Sequence, residues 1–436
     1  MGTSLPKTLQ PSGVYPHSVF PNVLVMLISS VSRAVAAVAA GVLALGVASP
    51  ASAASRDGRG RVVSAVRLEE ADPAEARAML GRAGFDSSAV VFGVDLYRLE
   101  YRTIDAAGGP TTASGLLALP RSRDRALWTV SFAHGTQSYR PDVPSSLQPD
   151  GFVYAPAIAY ATAGFAAVAP DYLGLGRGPG THPWMDVPSE TTASLDLLRA
   201  ARSFVPSTGR RLERQVLVTG FSQGASAALG LARAVEAGAD RRFEVAGVAP
   251  ISGAYEFQRA EIPALFDGRI SGKMAVAYTA YLLVAWNRLH HLYRSPAEVF
   301  QAPYAERVDA LFDGSTPGPE MLAALPDNLS QLLTSRGVDL LRHPNRQFQA
   351  ALRVSDSVCA GWTPQSPIRL YQAAGDEQAV TDNTAGCRAE FAARKVTVVE
   401  LGTPDYHGSR HLGSAVAGTA DIVRWFGQLA ATARPH

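Results

Sequence analysis

Residues 216–225 place Ser222 between two glycines, where a short apolar run changes into a helical pattern. The run is β-prone and too short for a helix, and the small residues after it favour a helix. Gly220 and Gly224 carry no side chain, which a tight strand-to-helix turn around a serine requires. We therefore predict an exposed nucleophilic hydroxyl and, at the helix N-terminus, a Gln223 amide that donates to an oxyanion. The alternative is an ordinary strand–turn–helix.

A serine hydroxyl is a weak nucleophile at neutral pH, so Ser222 needs a neutral imidazole to take its proton and a carboxylate to orient that imidazole. Asp376 follows a predicted strand and is expected at the same sheet edge, although a turn-forming aspartate is the alternative. Glu377 is the fallback acid, with a side chain expected to point away. His407 and His411 are the two candidate bases. We favour His411, because it immediately precedes the predicted final helix, which Ser414 is expected to cap and so to anchor the loop. His407 is followed by the flexible polar stretch 408–410, which restrains a ring less.

Further polar residues follow the predicted strands at the same sheet edge. A second oxyanion donor is expected in the loop after the strand at 127–132, most simply from Thr136. The segment Asp171-Tyr172 is the rival donor, and His134 is expected to shape the loop. No group of histidine, cysteine and aspartate has ligand spacing, so the sequence predicts neither a metal nor another cofactor. The histidines interpreted as surface or cap residues are His182, His290, His291 and His343.

Strand and helix patterns alternate around these residues, which predicts an α/β fold with a mostly parallel central sheet and helices on both faces. The first two strands are joined by turn residues and are expected to form an antiparallel hairpin. A helix is expected to begin at Asp72-Pro73. The predicted strands are 90–103, 112–119, 127–132, 165–169, 216–219, 245–251, 368–372 and 396–401. The other predicted helices are 154–163, 190–204, the one after Ser222 and about 414–429.

The alternation stops between residues 254 and 362, where helical patterns and turn signals predominate. We predict a helical cap inserted after the sixth strand, with 54–253 and 363–436 as the two parts of the core. Residues 275–286 are apolar nearly all round, which is typical of a buried helix or a pocket lining. Plain packing of the cap against the body is an equal alternative.

Residues 1–53 have the pattern of a signal peptide, with Met26 as an alternative start. The apolar run at 34–47 is too short to span a bilayer comfortably and ends in a small-residue cleavage site at 51–53. A membrane anchor is the alternative. We expect the mature chain to be exported, to an extracellular or periplasmic location, and to carry no integral membrane span.

The sequence has only two cysteines, and export would allow them to form a disulfide, because an oxidising compartment preserves such bonds. Cys359 and Cys387 lie on either side of Asp376 in the sequence, so a bond between them would brace that region. Two buried thiols are the alternative.

The chain has 436 residues, 47% of them hydrophobic and 18% charged, which is enough for a large core. A net charge of +2 gives no reason to expect a nucleic acid as partner. The oligomeric state stays open.

A resemblance to a known family is carried jointly by six segments: 134–136, 169–176, 181–183, 220–224, 371–376 and 411–414. On these segments the chain resembles the secretory lipase family of exported α/β-hydrolases, and the match covers nearly all of residues 90–430. The resemblance implies ester hydrolysis by Ser222, Asp376 and His411 without a cofactor, on a small-molecule or lipid ester. It also implies that Asp171 lies close to the nucleophile.

Two other functions fit parts of the same pattern. A serine exopeptidase can use the same fold and triad. An exported binding protein on an inactive hydrolase scaffold is the alternative that is not an enzyme, and the complete set of Ser222, Asp376 and His411 argues against it.

Overall fold

The computed structural model describes residues 58–270, 272–391 and 395–433, which form a nine-stranded sheet in the order β1-β2-β3-β5-β4-β6-β7-β8-β9. Pairs β1–β2, β2–β3 and β3–β5 are antiparallel, and all pairs from β5–β4 to β8–β9 are parallel. The α/β-hydrolase sheet expected from the sequence is thus confirmed. The strands are β1 Val62–Ala71, β2 Val94–Ile104, β3 Pro110–Pro120, β4 Ala126–Ala133, β5 Ala166–Pro170, β6 Arg211–Phe221, β7 Glu244–Ile251, β8 Ile368–Gln372 and β9 Val396–Glu400.

Helices cover both faces of this sheet and also form the segment between β7 and β8. The helices are α1 Pro73–Arg82, α2 Ala155–Thr162, α3 Val187–Phe204, α4 Gln223–Glu236, α5 Ile262–Asp267, α6 Gly272–His290, α7 Pro296–Val299, α8 Val308–Leu311, α9 Gly318–Ala324, α10 Leu329–Leu332, α11 Ser335–Arg342, α12 Arg346–Ser355, α13 Asp382–Phe391 and α14 Arg410–Ala433.

Local sequence explains the first helix and the first hairpin. The Asp72 side chain accepts hydrogen bonds from the amides of Ala74 and Glu75, and Pro73 occupies the first turn, so α1 begins where the sequence predicts. The hairpin of β2 and β3 is confirmed. The sequence pattern does not predict β1. It is an edge strand whose valines remain open to solvent, with Val63 54% and Val66 40% exposed, so it lacks the alternation that marks a half-buried strand.

Two apolar layers hold the helices against the sheet. One layer contains Leu197 of α3 and Leu229 of α4, and the other contains Ile158 of α2 and Phe426 of α14; all four are fully buried. Burying a side chain of this size stabilises the fold by roughly 1.5–3 kcal/mol. The carboxyl ends of β4, β6 and β8 are thereby held at one rigid edge.

The helical insertion has its own apolar cluster, which α6 dominates. Val276, Leu283 and Trp286 are buried there, in agreement with a helix that is apolar all round. The Trp286 indole donates to the carbonyl of Trp184 in the body of the protein at 2.9 Å. The insertion follows β7, which corresponds to the predicted strand 245–251. This strand is the seventh rather than the sixth, because the prediction does not include β1. The cap boundaries 254–362 stay a prediction.

Cys359 and Cys387 form a disulfide, which confirms the predicted pairing. The bond joins the chain after α12 to α13, and both cysteines are buried. Within the described ranges, no helix is both long and apolar enough to cross a membrane. The predicted signal peptide, residues 1–53, lies outside the described residues.

Candidate active site

Ser222 occupies the turn between β6 and α4 in a strained backbone conformation, with φ +56° and ψ −120°. A positive φ at a residue other than glycine costs about 1–3 kcal/mol, and the surrounding structure has to hold it. A Cβ on Gly220 would lie 2.0 Å from the carbonyl oxygen of Gly224. A Cβ on Gly224 would lie 2.0 Å from the carbonyl oxygen of Ala133. Both glycines are therefore required by contact with the backbone, as the sequence motif indicates.

Three side chains form one continuous chain of hydrogen bonds at this turn. The Nε2 atom of His411 lies 2.9 Å from the Ser222 hydroxyl, and its Nδ1 atom lies 2.9 Å and 3.0 Å from the two carboxylate oxygens of Asp376. Because the carboxylate can only accept, Nδ1 carries a proton and Nε2 of the neutral ring is left to accept from the serine. Ser222 is 9%, Asp376 6% and His411 1% exposed, so the chain lies in a low-dielectric setting.

Asp376 is held as a carboxylate by its neighbours. Burial alone would raise its pKa, but the charge and hydrogen bond of His411 and the amides of Ala379 and Gln378 outweigh burial and hold the pKa below its usual range. Both amides donate to Oδ1 at 2.9 Å. A charged carboxylate in this position can stabilise an imidazolium formed on His411.

His411 lies inside the final helix rather than in a loop before it, because α14 begins at Arg410 and not near Ser414. The expectation that Ser414 caps this helix is wrong: its hydroxyl donates to the carbonyl of His411 at 2.7 Å. The capping hydroxyl is that of Ser409, which accepts from the amide of Leu412 at 3.1 Å. The ring is therefore fixed by the first helical turn.

His407 lies apart from this chain. It is exposed, with φ +51°, and its ring packs against Tyr406 with centroids 4.4 Å apart. The structure thus brings His411, and not His407, to the Ser222 hydroxyl.

The predicted oxyanion donors lie on two different elements. Gln223 is the first residue of α4, where amide hydrogens have no acceptor within the helix. Thr136 follows β4, and its hydroxyl accepts from the indole of Trp184 at 3.0 Å. Donation by these two amides to a reacting oxygen stays a prediction.

The Gln223 side chain is held by two buried groups. Its Nε2 atom donates to Nε2 of His182 at 2.8 Å and to Glu190 at 2.7 Å. Because Nδ1 of His182 donates to the carbonyl of Leu173 at 3.0 Å, Nε2 is free to accept. Burial lowers the pKa of His182 to about 3 and raises the pKa of Glu190 to about 8.

Sequence reasoning missed both of these groups. The interpretation of His182 as a surface or cap residue is wrong, since it is 4% exposed. Glu190 lies on the apolar face of α3, in register with Ser194, Leu197 and Leu198. That register is the signal that could have identified it as buried.

His134, Asp171 and Tyr172 support the neighbouring loops. His134 donates from Nδ1 to the carbonyl of Gly135 at 2.7 Å, and burial lowers its pKa to about 4. The Tyr172 hydroxyl donates to the carbonyl of His134 at 2.9 Å. The Asp171 carboxylate accepts from the hydroxyl of Ser145 at 2.5 Å and from its amide at 3.1 Å. Asp171 therefore ties two loops together with its side chain turned into the body of the protein.

In the part of the chain that the structure describes, no group of three histidines, cysteines or acidic residues could hold a metal ion.

The chain is similar to solved structures of esterases and lipases. It is 26% identical to the rice cell wall degrading esterase LipA from Xanthomonas oryzae, with a TM-score of 0.75, over 86% of this chain and 100% of LipA. For a putative hydrolase from Legionella pneumophila the identity is 22% and the TM-score 0.78, over 86% and 100% of the two chains. For Candida antarctica lipase A in its closed state the identity is 15% and the TM-score 0.62, over 87% and 84%.

No protein-family model matches the chain, and no curated protein matches it. The structural neighbours nevertheless identify its fold as that of the α/β-hydrolases.

Proposed function

We propose that this protein hydrolyses carboxylic esters through an acyl-enzyme on Ser222, with His411 as general base and Asp376 as the carboxylate that orients it. The observation that carries the proposal is the unbroken hydrogen-bond chain from the serine hydroxyl through the imidazole to the carboxylate, with links of 2.9 Å. The similarity to the LipA esterase at 26% identity supports an ester as the substrate.

The geometry is suited to each step of acyl transfer. Ser222 attacks the ester carbonyl while His411 takes the hydroxyl proton at Nε2, and Asp376 stabilises the imidazolium through Nδ1. The Gln223 amide at the start of α4 donates to the oxyanion. The imidazolium then protonates the departing alcohol. Water, activated by the same imidazole, hydrolyses the acyl-enzyme and restores Ser222.

Aromatic side chains beside the predicted oxyanion loop support an apolar substrate, such as a lipid or another hydrophobic ester. Trp184 donates to the Thr136 hydroxyl, and its ring stacks on Tyr281 of α6 at 4.9 Å and on Tyr278 at 6.0 Å. The Tyr281 hydroxyl also donates to the carbonyl of Gln137 at 3.1 Å. The helical insertion thus brings an aromatic stack into contact with the loop that we propose holds the oxyanion.

Export of the mature chain is part of the same proposal. The disulfide between Cys359 and Cys387 is compatible with an oxidising compartment, and the leader pattern at 1–53 supports secretion.

The experiment compares wild-type protein with Ser222→Ala on p-nitrophenyl esters from acetate to palmitate and on aminoacyl-nitroanilides. We expect the wild type to turn over esters, and the variant to lose about 10³-fold or more in kcat, because members of a triad act as a unit. Circular dichroism and thermal unfolding check that the variant is folded. A folded variant with wild-type turnover would refute the mechanism, and turnover of the nitroanilides alone would identify an exopeptidase.

A further inference from the structure

We propose that Glu377 is a positioning residue that fixes the main chain of His411, and so sets the place of the imidazole from outside the triad. This inference rests on the proposed function of Ser222 and His411. Its basis is the set of hydrogen bonds that the Glu377 carboxylate accepts at the start of α14.

Both oxygens of Glu377 face the first residues of α14. Oε2 accepts from the amide of Arg410 at 3.1 Å and from the amide of His411 at 3.4 Å. Oε1 accepts from the Ser409 hydroxyl and from the Gln378 side-chain amide, the latter at 3.1 Å. The first amides of a helix have no acceptor within it and lie at the positive end of its dipole, so an anion is well placed here.

The carboxylate is negatively charged in this setting. Burial alone would raise the pKa of Glu377, but hydrogen bonds from Ser409 and Gln378 outweigh it and hold the pKa below its usual range. The same Ser409 hydroxyl accepts from the amide of Leu412, so it links the carboxylate to the next residue of the helix. Glu377 therefore restrains three successive residues of the turn that carries the base.

Two consecutive acidic residues thus hold one histidine in two ways. Asp376 holds the ring through Nδ1, and Glu377 holds the backbone from which the ring projects. Neither contact replaces the other, because a ring oriented by Asp376 can reach the Ser222 hydroxyl only if its own main chain is in place. The 2.9 Å contact between His411 and Ser222 depends on both.

A second element steadies the same cluster. The Gln378 side chain, besides its bond to Glu377, lies 3.3 Å from the Ser409 hydroxyl and accepts from the hydroxyl of Tyr278 in α6 at 2.6 Å. The side chains around Glu377 are therefore locked between the final helix and the helical insertion. Preorganisation of this kind is what a group requiring accurate placement needs.

The test uses Glu377→Ala and Glu377→Gln in the full chain, with Asp72→Ala as a matched control. Asp72 is also a carboxylate that caps a helix, accepting from the amides of Ala74 and Glu75 at 2.7 Å and 2.9 Å, but it contacts no triad residue. Each variant is assayed for kcat and KM on a p-nitrophenyl ester. The rate at which a fluorophosphonate modifies Ser222 is measured as well, because it reports base-assisted attack without deacylation.

We expect Glu377→Ala to lower kcat and the fluorophosphonate rate by about 10- to 100-fold, since a misplacement on the order of 1 Å carries a cost of that size. KM should change by less than about threefold, because the Glu377 carboxylate contacts the start of α14 and not Ser222. Glu377→Gln keeps one acceptor oxygen and should recover part of the loss. Asp72→Ala should lower the melting temperature and leave kcat at the wild-type value.

Wild-type kcat in Glu377→Ala would overturn the proposal, as would an equal loss of kcat in Glu377→Ala and Asp72→Ala. If Glu377→Ala does not fold, Glu377→Gln decides: a loss of kcat with unchanged KM supports the role, and wild-type kcat rejects it. Retention of activity by Ser222→Ala would instead reject the proposed function. The two failures are therefore distinguishable.

Discussion

Replacing Glu190 with glutamine should change how the stability of this protein depends on pH. Glu190 lies in the first turn of α3 and is 1% exposed. One carboxylate oxygen accepts from Gln223 at 2.7 Å, and the other has no hydrogen-bond partner within the described ranges. Burial raises the pKa to about 8 from an ordinary 4.5; the hydrogen bond from Gln223 opposes this shift, and the charge of Asp186 adds to it. The folded protein therefore holds a proton that the unfolded chain releases.

The direction in which pH changes the free energy of unfolding follows from that difference in bound protons. Well below pH 4.5 Glu190 is protonated in both the folded and the unfolded state, so it does not change the free energy of unfolding with pH. As the pH rises from 4.5 towards 8, only the unfolded chain loses the proton, so the free energy of unfolding falls by about 1.4 kcal/mol per pH unit. Between pH 5 and pH 8 the loss from this one group is about 3 to 4 kcal/mol. Glutamine keeps the acceptor for Gln223 and does not ionise, so Glu190→Gln should escape this loss.

Urea denaturation at pH 5, 6, 7 and 8, with the disulfide intact, measures the effect. The difference in unfolding free energy between Glu190→Gln and the wild type should move in favour of the variant by about 3 to 4 kcal/mol across that range. Glu244→Gln, at an exposed glutamate on β7, is the control and should give a flat difference. A flat difference for Glu190→Gln as well would refute the reasoning. Glu261, whose pKa burial also raises to about 8, still contributes a falling slope in both proteins.

Other changes test the remaining residues of the candidate site and the fold around it. His411→Ala should lower kcat on a p-nitrophenyl ester as severely as loss of the nucleophile, whereas His407→Ala should cost no more than about tenfold; the reverse ranking would make His407 the base. Thiol titration of the denatured, unreduced protein should find no free thiol at Cys359 or Cys387. The disulfide spans 28 residues, and removing it should lower the unfolding free energy measured by urea denaturation by about 3.5 kcal/mol. Gly224→Ala should destabilise the fold by more than about 3 kcal/mol or prevent soluble expression, because its Cβ would meet backbone; wild-type stability would contradict the clash.

The turn that carries Ser222 could be predicted from the sequence because part of its cause is local. Gly220 and Gly224 lie within two residues of Ser222, and the backbone atoms that exclude a side chain belong to the turn itself and to the adjacent strand β4. The order of strands and helices follows from periodicity in the same way. The contact between Gly220 and Gly224 follows from the motif itself, whereas the approach of β4 to Gly224 is supplied by the fold.

The start of the final helix has two causes, a local cap at Ser409 and a distant carboxylate that the sequence does not indicate. The amide of Arg410 is satisfied by Glu377, 33 residues earlier, and a local reading that looks for a cap finds Ser414 instead. The burial of His182 depends on distant contacts in the same way, whereas that of Glu190 is indicated by its register on the apolar face of α3. The cost of burying each of these two polar groups is offset by a hydrogen bond from the Gln223 side chain, which belongs to α4.

These distant contacts also shape the electrostatics of the proposed reaction. Burial lowers the pKa of His134 to about 4 and that of His182 to about 3, so neither ring is charged at neutral pH. Glu190, with its pKa raised to about 8, is mainly neutral there as well. His134, His182 and Glu190, which surround the predicted oxyanion loop and Gln223, thus add little charge of either sign. An imidazolium forming on His411 would meet the Asp376 carboxylate at 2.9 Å, and neither His134 nor His182 would add a positive charge that weakens this attraction.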